Sequence, residues 1–169
     1  GDVPVIKDQL PTIFHTEEHP AGEVQKFFRD AFAVYRDTLP HSYQTLLDRY
    51  ELRDAAVKVV GVGSVGTVCL VLLLTAGDGD PLFLQIKEAR ASVLEPYAGK
   101  SEFGNHGQRV VNGYRLMQPA SDMFLGWSRG RTRDFFIRQL RDMKLSPMVE
   151  TFGRAEMLIY AAWCGRALA

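Results

Sequence analysis

Apolar positions along the chain change their period twice. Val24, Phe27, Phe28, Ala31, Val34 and Tyr35 recur at helical spacing, which predicts a helix from Glu23 to Leu39, stopped by Pro40. Ser42 is the expected N-cap of a second, shorter helix that carries Tyr43, Leu46, Leu47 and Tyr50 on one face. The aromatic residues Phe27, Phe28, Phe32, Tyr35 and Tyr43 fall on these two helices, where such a stripe serves packing. Ahead of them, residues 1–21 hold Pro4, Pro11 and Pro20 and no sustained period, so they read as an extended lead-in.

In the middle of the chain the helical period gives way to short runs rich in Val, Leu and Ile. Ala55–Val60, Thr67–Leu74 and Leu82–Glu88 predict three strands, and the turn signal "TAGDGDP" makes the last two a hairpin. A helix from His106 to Gln118 follows, and then two short strands, Met123–Trp127 and Asp134–Leu140, around "SRGRT". From about Ser146 the pattern is helical again. The predicted class is α+β: a five-stranded antiparallel sheet with one helix packed across it and flanking helices at both ends. The expected divisions are 1–53 for the lead-in and two helices, 54–145 for the sheet domain, and 146–169 for the start of a helix that continues elsewhere.

Composition narrows the function classes. With 169 residues, 46% hydrophobic and 24% charged, the chain is long enough to bury a core without disulfide or metal. Twenty basic residues against 20 acidic ones give no polybasic character, so neither nucleic acid nor a membrane surface is the expected partner. The longest strongly apolar run, Val68–Leu74, is far short of the ~18 residues of a membrane span, and a cytoplasmic location is expected. Cys69 and Cys164 form no disulfide framework or zinc spacing and read as buried thiols. The terminal "MLIYAAWCGRALA" stops inside a helical pattern, so the remainder of a longer polypeptide is an expected partner. Apolar surface left exposed without it would favour self-association.

Chemistry concentrates in residues 61–68, Gly61-Val62-Gly63-Ser64-Val65-Gly66-Thr67-Val68, which fit the eight-position G-x-G-x-x-G-x-V pattern. Glycine at these positions lets backbone N–H groups approach phosphate oxygens, although the same residues also suit a plain turn between strands. A dinucleotide-binding unit needs this loop to open a helix, whereas a kinase-type loop joins two antiparallel strands. The residues after Gly66, "TVCLVLLLTAGDGDP", are apolar on every side and include Thr67, Val68 and Val71, so a strand is expected. The kinase pattern also asks for a lysine on the third strand, and "LFLQIKEA" supplies Lys87, sharing a face with Gln85 opposite Leu84 and Ile86. Its bland alternative is a solvent-facing edge lysine. Glu88 stands roughly where a ribose-binding acid would sit in the dinucleotide alternative.

The runs "KVVGVGSVGT", "DPLFLQIKEARASVLEPY", "HGQRVVNGYRLMQPASDMFLGW" and "RDFFIRQLRDMK" resemble the bacterial family called domain of unknown function 2252, over most of the chain from about Asp54. Full-length relatives carry, upstream, a Gly-Asp-x-His-x-x-Asn run and an Asp-Phe-Asp segment similar to the catalytic and metal loops of aminoglycoside-kinase-like proteins. Downstream they extend the final helix into an Ala-His-Ala stretch. The resemblance therefore implies a kinase whose two lobes are permuted in sequence, with this chain as the lobe that binds ATP and Mg²⁺. Gly61, Gly63, Ser64 and Gly66 would cradle phosphate, Lys87 would contact its oxygens, and the metal would be held mostly by other residues of the polypeptide.

The chain departs from the kinase pattern in three places. It has no His-Arg-Asp run, and the nearest Asp-Phe-Gly candidate, Asp134-Phe135-Phe136, lacks the glycine. The helix His106–Gln118 has no acidic residue to pair with Lys87, so the usual pair is absent, replaced by Gln108 or Gln118, or supplied by Glu95 or Glu102, with Glu95 favoured. Gln85 stands where kinases place a small alanine beneath adenine. The leading expectation is a nucleotide-phosphate (ATP)-binding lobe of a kinase-like phosphotransferase that does not transfer phosphate by itself. A non-catalytic binding or scaffolding module is the alternative, and a dinucleotide-binding enzyme is the third reading.

Other motifs carry less. "LEPYAGKS" ends like a P-loop but begins with Leu94 in place of glycine, and reads as a turn bearing Lys100. His15-Thr16-Glu17-Glu18-His19 matches a zinc-peptidase pattern, yet Pro11 and Pro20 leave too little helix to align both histidines. Asp122, Arg138, Asp142 and Lys144 cluster around the two late strands, where pocket lining is one reading, but charged residues at strand ends are usually surface groups, so they rank as secondary.

Overall fold

The computed structural model describes residues 4–15, 31–61, 65–77, 79–118, 120–140 and 147–168. Its centre is β3 (Cys69–Thr75), whose sequence CLVLLLT has no polar interruption and whose residues are buried on both faces of the sheet. Two features of one turn set its pairing with β4 (Pro81–Ala89): the Ala76 N–H donates to the Asp80 carbonyl at 3.0 Å, and Gly79 adopts φ +78°, a left-handed conformation suited to glycine. The expected hairpin is therefore present and antiparallel, with Cys69 opposite Lys87 and Leu74 opposite Leu82.

Six strands, not five, make the sheet, in the order β1-β2-β3-β4-β6-β5 and antiparallel throughout. The additional strand β1 (Ile13–Phe14) comes from the lead-in and pairs with Val57 and Lys58; two residues give no readable alternation. Strand β2 (Glu51–Lys58) starts earlier than the expected Ala55, because the polar "ELRD" hides the half of the strand that β1 does not cover, where the register shifts between Leu52 and Asp54. Strand β5 (Gly126–Arg129) starts later than Met123. Asp122 accepts the Phe124 N–H at 2.9 Å and its carbonyl accepts the Leu125 N–H at 3.1 Å, so a turn occupies the first apolar residues of that run. Strand β6 (Asp134–Gln139) lies where expected.

Both faces of the sheet are covered. On one, Leu72, Leu74, Leu82, Leu84, Ile86, Phe135 and Ile137 pack against Tyr35, Leu39 and Leu47. These last belong to helix α1, described over 31–37, and helix α2 (His41–Leu47) with the turn between them. The Tyr35 hydroxyl donates to the Phe124 carbonyl at 2.7 Å, and the Ser128 hydroxyl to the Ala31 carbonyl at 2.7 Å, which ties α1 to the β5 side. Burial pushes the Tyr35 phenol well above its ordinary range, and the Asp122 charge adds to that. Of the expected aromatic stripe, Phe32 and Tyr35 pack as proposed, Tyr43 is exposed, and Phe27 and Phe28 lie outside the described residues. Pro40, not Ser42, is the α2 N-cap: its carbonyl accepts the Tyr43 and Gln44 N–H groups, and no side chain caps the helix.

The opposite face is covered in two patches. Ile6 and Ile13 of the lead-in sit over Ala56, Val71 and Leu73. Helix α4 (His106–Met117) sets Val110, Val111 and Tyr114 against Ala89, Leu125, Phe136 and Trp127. Asn105 caps α4 by accepting the Gln108 N–H at 2.9 Å, while Asp134 accepts from Asn105 Nδ2 at 3.1 Å and from the His106 N–H at 2.8 Å. The one-turn helix α3 (Glu95–Ala98) precedes α4. After a 3₁₀ turn at Val149–Thr151, helix α5 (Arg154–Leu168) leaves Leu158 and Trp163 each 64% exposed.

Helix α4 crosses the sheet so closely that a Cβ at Gly107 would lie 2.0 Å from the Phe135 carbonyl oxygen, whereas one at Gly113 meets nothing within 4 Å. Gly107→Ala is expected to destabilise the fold by about 2 kcal/mol or more, because backbone cannot move aside. Gly113→Ala on the exposed side of the same helix is expected to stabilise by ~0.5–1 kcal/mol. Urea unfolding of the two variants checks this, and equal effects would contradict the α4 packing.

Candidate functional site

The glycine run joins β2 to β3. Gly61 and Gly66 are described and flank it; Gly63 and Ser64 lie outside the described residues. Gly66 has φ +74°, a left-handed conformation that favours glycine. Residues 69–75 after it are strand, not the helix a dinucleotide-binding turn requires.

The far end of the run is held by charge. Glu88 on β4, its side chain only 6% exposed, accepts the Val68 N–H at 3.0 Å and pairs with Arg90 at 2.7 Å and Arg133 at 2.8 Å. Arg90 also donates to the Gly66 carbonyl. Burial pushes the Glu88 carboxyl up, but the bonds from Arg90 and Val68 and the arginine charges outweigh it and hold the group below its ordinary value. Every part of this carboxylate is engaged, so the acid considered for ribose binding serves as a clasp.

On the other face of β4 stand Gln85 and Lys87, as the alternation predicts. Lys87 pairs in register with Cys69 and with Phe136, and Gln85 with Val71 and Arg138. Lys58, one residue beyond the Val57–Leu70 pair, falls on the Cys69 face as well. The strip between the two apolar patches thus holds Lys58, Cys69, Lys87, Gln85 and Arg138. Gln85 is buried, and its Oε1 accepts from Arg138 Nε at 3.3 Å and Nη2 at 3.1 Å while its Nε2 contacts Cys69 Sγ at 3.4 Å. Among the described residues none of Lys58, Lys87 and Arg138 has a carboxylate partner. Their charges reach the Cys69 thiol: burial raises its pKa, opposed by Lys87, the Gln85 bond, Lys58 and Arg138.

The remaining expected site residues stand apart from this strip. Glu95, at the start of α3, accepts the Ser92 N–H at 3.3 Å and forms no ion pair with Lys87. Asp122 accepts the Phe124 and Gln139 N–H groups, and Asp134 caps α4 and pairs with Arg129 at 3.1 Å. Asp142 and Lys144 lie outside the described residues, and Lys100 is exposed. His15 joins Asp8 at 2.6 Å and Asp54 at 3.1 Å, tying the lead-in to β2. No group of three or more potential metal ligands occurs among the described residues. No helix there is long and apolar enough to cross a membrane. Cys164 is exposed, against the expectation of a buried thiol, because helix α5 leaves nearly all of its described residues exposed; Cys69 is buried as expected.

Sequence reasoning passed over Lys58, ranked Arg138 among the secondary candidates, and gave Glu88 no structural role. The period-two alternation of "DAAVK" and "DFFIRQ" puts Lys58 and Arg138 in phase with inward residues, and register alone reveals that they meet Lys87 and Gln85.

The sequence model of one family, DUF2252, described as an uncharacterized protein conserved in bacteria, matches residues 1–169. No curated protein and no solved structure matches the chain.

Because the Glu88 pKa is lowered in the fold, its contribution is present above its ordinary value of 4.5 and is lost as pH falls through the lower folded value. Glu88→Gln is expected to reduce stability at pH 7 and to flatten the loss of stability on acidification below about 4.5. Thermal unfolding between pH 3 and 7 measures both; an unchanged acid limb would show that the clasp does not act through its charge.

Proposed function

The chain belongs to the DUF2252 family, and from its geometry we propose that it binds the phosphates of a nucleotide, ATP with Mg²⁺, as the nucleotide-binding lobe of a kinase-like phosphotransferase. One observation carries the reading: Lys58, Lys87 and Arg138 share a sheet face next to the strand ends that the glycine run connects, and none of them has a carboxylate partner among the described residues. Three neighbouring cations repel one another and raise the local potential, a cost that a bound polyanion removes. Backbone N–H groups of Gly61, Gly63, Ser64 and Gly66 would supply the neutral donors, and Lys87 the charge on the phosphate oxygens. Gln85 lies beside Lys87 at the inner end of the site.

The described residues do not fit a resident Mg²⁺ site: Asp122 and Asp134 already serve backbone N–H groups, and no cluster of three potential ligands exists among them. In this reading the ion accompanies the nucleotide, and no step is assigned through it. The engagement of both acids also favours a second form of the proposal, a module that binds nucleotide without turning it over. Either form operates by positioning and neutralising charge, since phosphoryl transfer asks for little covalent chemistry from the protein.

Calorimetric titration with MgATP tests the site. A charge-assisted bond to phosphate is worth about 1.5–3 kcal/mol, so Lys87→Met is expected to weaken binding by roughly 10- to 100-fold. Lys100→Met, on an exposed turn, is expected to change it by less than about twofold, because solvent screens that charge. Equal losses in the two variants would overturn the assignment.

A further inference from the structure

We infer that this site reads the phosphate chain of its ligand and does not read the base, so that inorganic tripolyphosphate is a ligand of the same rank as a nucleoside triphosphate. The inference rests on the phosphate-binding reading above and adds the chemical class that the site selects.

The argument is a count of donors and acceptors across the strip. Among the described residues Gln85 is the one side chain there with a strong acceptor, and its Oε1 already takes two N–H groups, from Arg138 Nε at 3.3 Å and Nη2 at 3.1 Å. Turning the amide over would set its NH₂ against the guanidinium, donor against donor, so Arg138 fixes the orientation. Nε2 then faces Cys69 Sγ at 3.4 Å, and the thiol is a weak group kept protonated by burial. Arg138 keeps three N–H donors unused, and Lys58 and Lys87 are donors only. Main-chain carbonyls of β3, β4 and β6 are spent in the ladder.

A surface that only donates suits a ligand that only accepts. Phosphate oxygens meet that condition, and a chain of them offers each cation its own partner. Adenine, guanine and cytosine each carry an exocyclic amine, which finds no acceptor here, and desolvating such a group without a partner is unfavourable. Gln85 adds bulk at 3% exposure, so a base cannot lie flat on β4 at this point. Arg138 is thus a ligand-binding residue and Gln85 the residue that positions it.

Titrating the full chain with ATP, GTP, CTP and tripolyphosphate at one fixed Mg²⁺ concentration tests the inference. The four are expected to bind within about threefold of one another, and adenosine at millimolar concentration is expected not to compete. Arg138→Met is expected to weaken all four by tenfold or more. Gln85→Glu keeps an acceptor for Arg138, and with it the fold, but introduces negative charge, and is expected to weaken all four by a similar factor. Melting curves verify that each variant is folded. A preference of tenfold or more for one nucleotide over tripolyphosphate, or competition by adenosine, would overturn the inference while leaving phosphate binding in place. Failure of the unaltered chain to bind any of the four would overturn the phosphate reading beneath it.

Discussion

Strand β3 imposes the constraint on which the structure rests. Its seven residues, Cys69–Thr75, are apolar but for the terminal threonine and lie in the interior of the sheet, so both faces of the sheet must be shielded from water. The α1–α2 segment meets this need on one face with a single contiguous core around Leu72, Leu74 and Leu84. On the other face the cover comes from two unrelated parts of the chain, the lead-in around Ile6 and helix α4 around Val111. The strip with Lys58, Lys87 and Arg138 lies between the sheet positions under those two covers. Folding and charge placement are linked through that division: the strand that demands burial also carries Cys69, whose thiol feels the charges of Lys87, Lys58 and Arg138.

Elements whose information is local were legible in the sequence. The β3–β4 hairpin declares itself by an unbroken apolar run and a glycine- and aspartate-rich turn, and α4 by its period. What stayed hidden depends on distant partners. Ile13 and Phe14 become a strand only because the β2 edge is there to pair with. The polar "ELRD" is strand because Arg53 can bond the Thr75 hydroxyl at 2.7 Å and the bulge accommodates Asp54. Asp122 delays the start of β5 by capturing the N–H groups of Phe124, two residues on, and of Gln139, seventeen residues on.

The same distinction divides the site. Lys87 and Gln85 share a face by alternation alone, which sequence supplies. That Arg138 closes on Gln85 is a matter of β4–β6 register, across a helix and a hairpin, and no local pattern encodes it. Glu88 shows the converse: a position beside a glycine motif invited a ligand-binding role, and burial with two arginines gives it a structural one. An acid is costly to bury unless paired, so its partners decide what it does.

The sheet's two margins have a consequence for crowding among copies of the chain. An open strand edge is a template for pairing with a neighbour, and long flat edges are the sites where β proteins stack into fibres. Here one margin is β5, four residues long, and ends at Arg129. At the other margin, β1 shields only Val57 and Lys58, yet the uncovered stretch of β2 carries Glu51, Arg53 and Asp54 and is kinked by its register shift. Charge and irregularity on one side and brevity on the other leave no flat edge for a second sheet to extend, so the hydrophobic centre strand is insulated from fibre growth by its own neighbours.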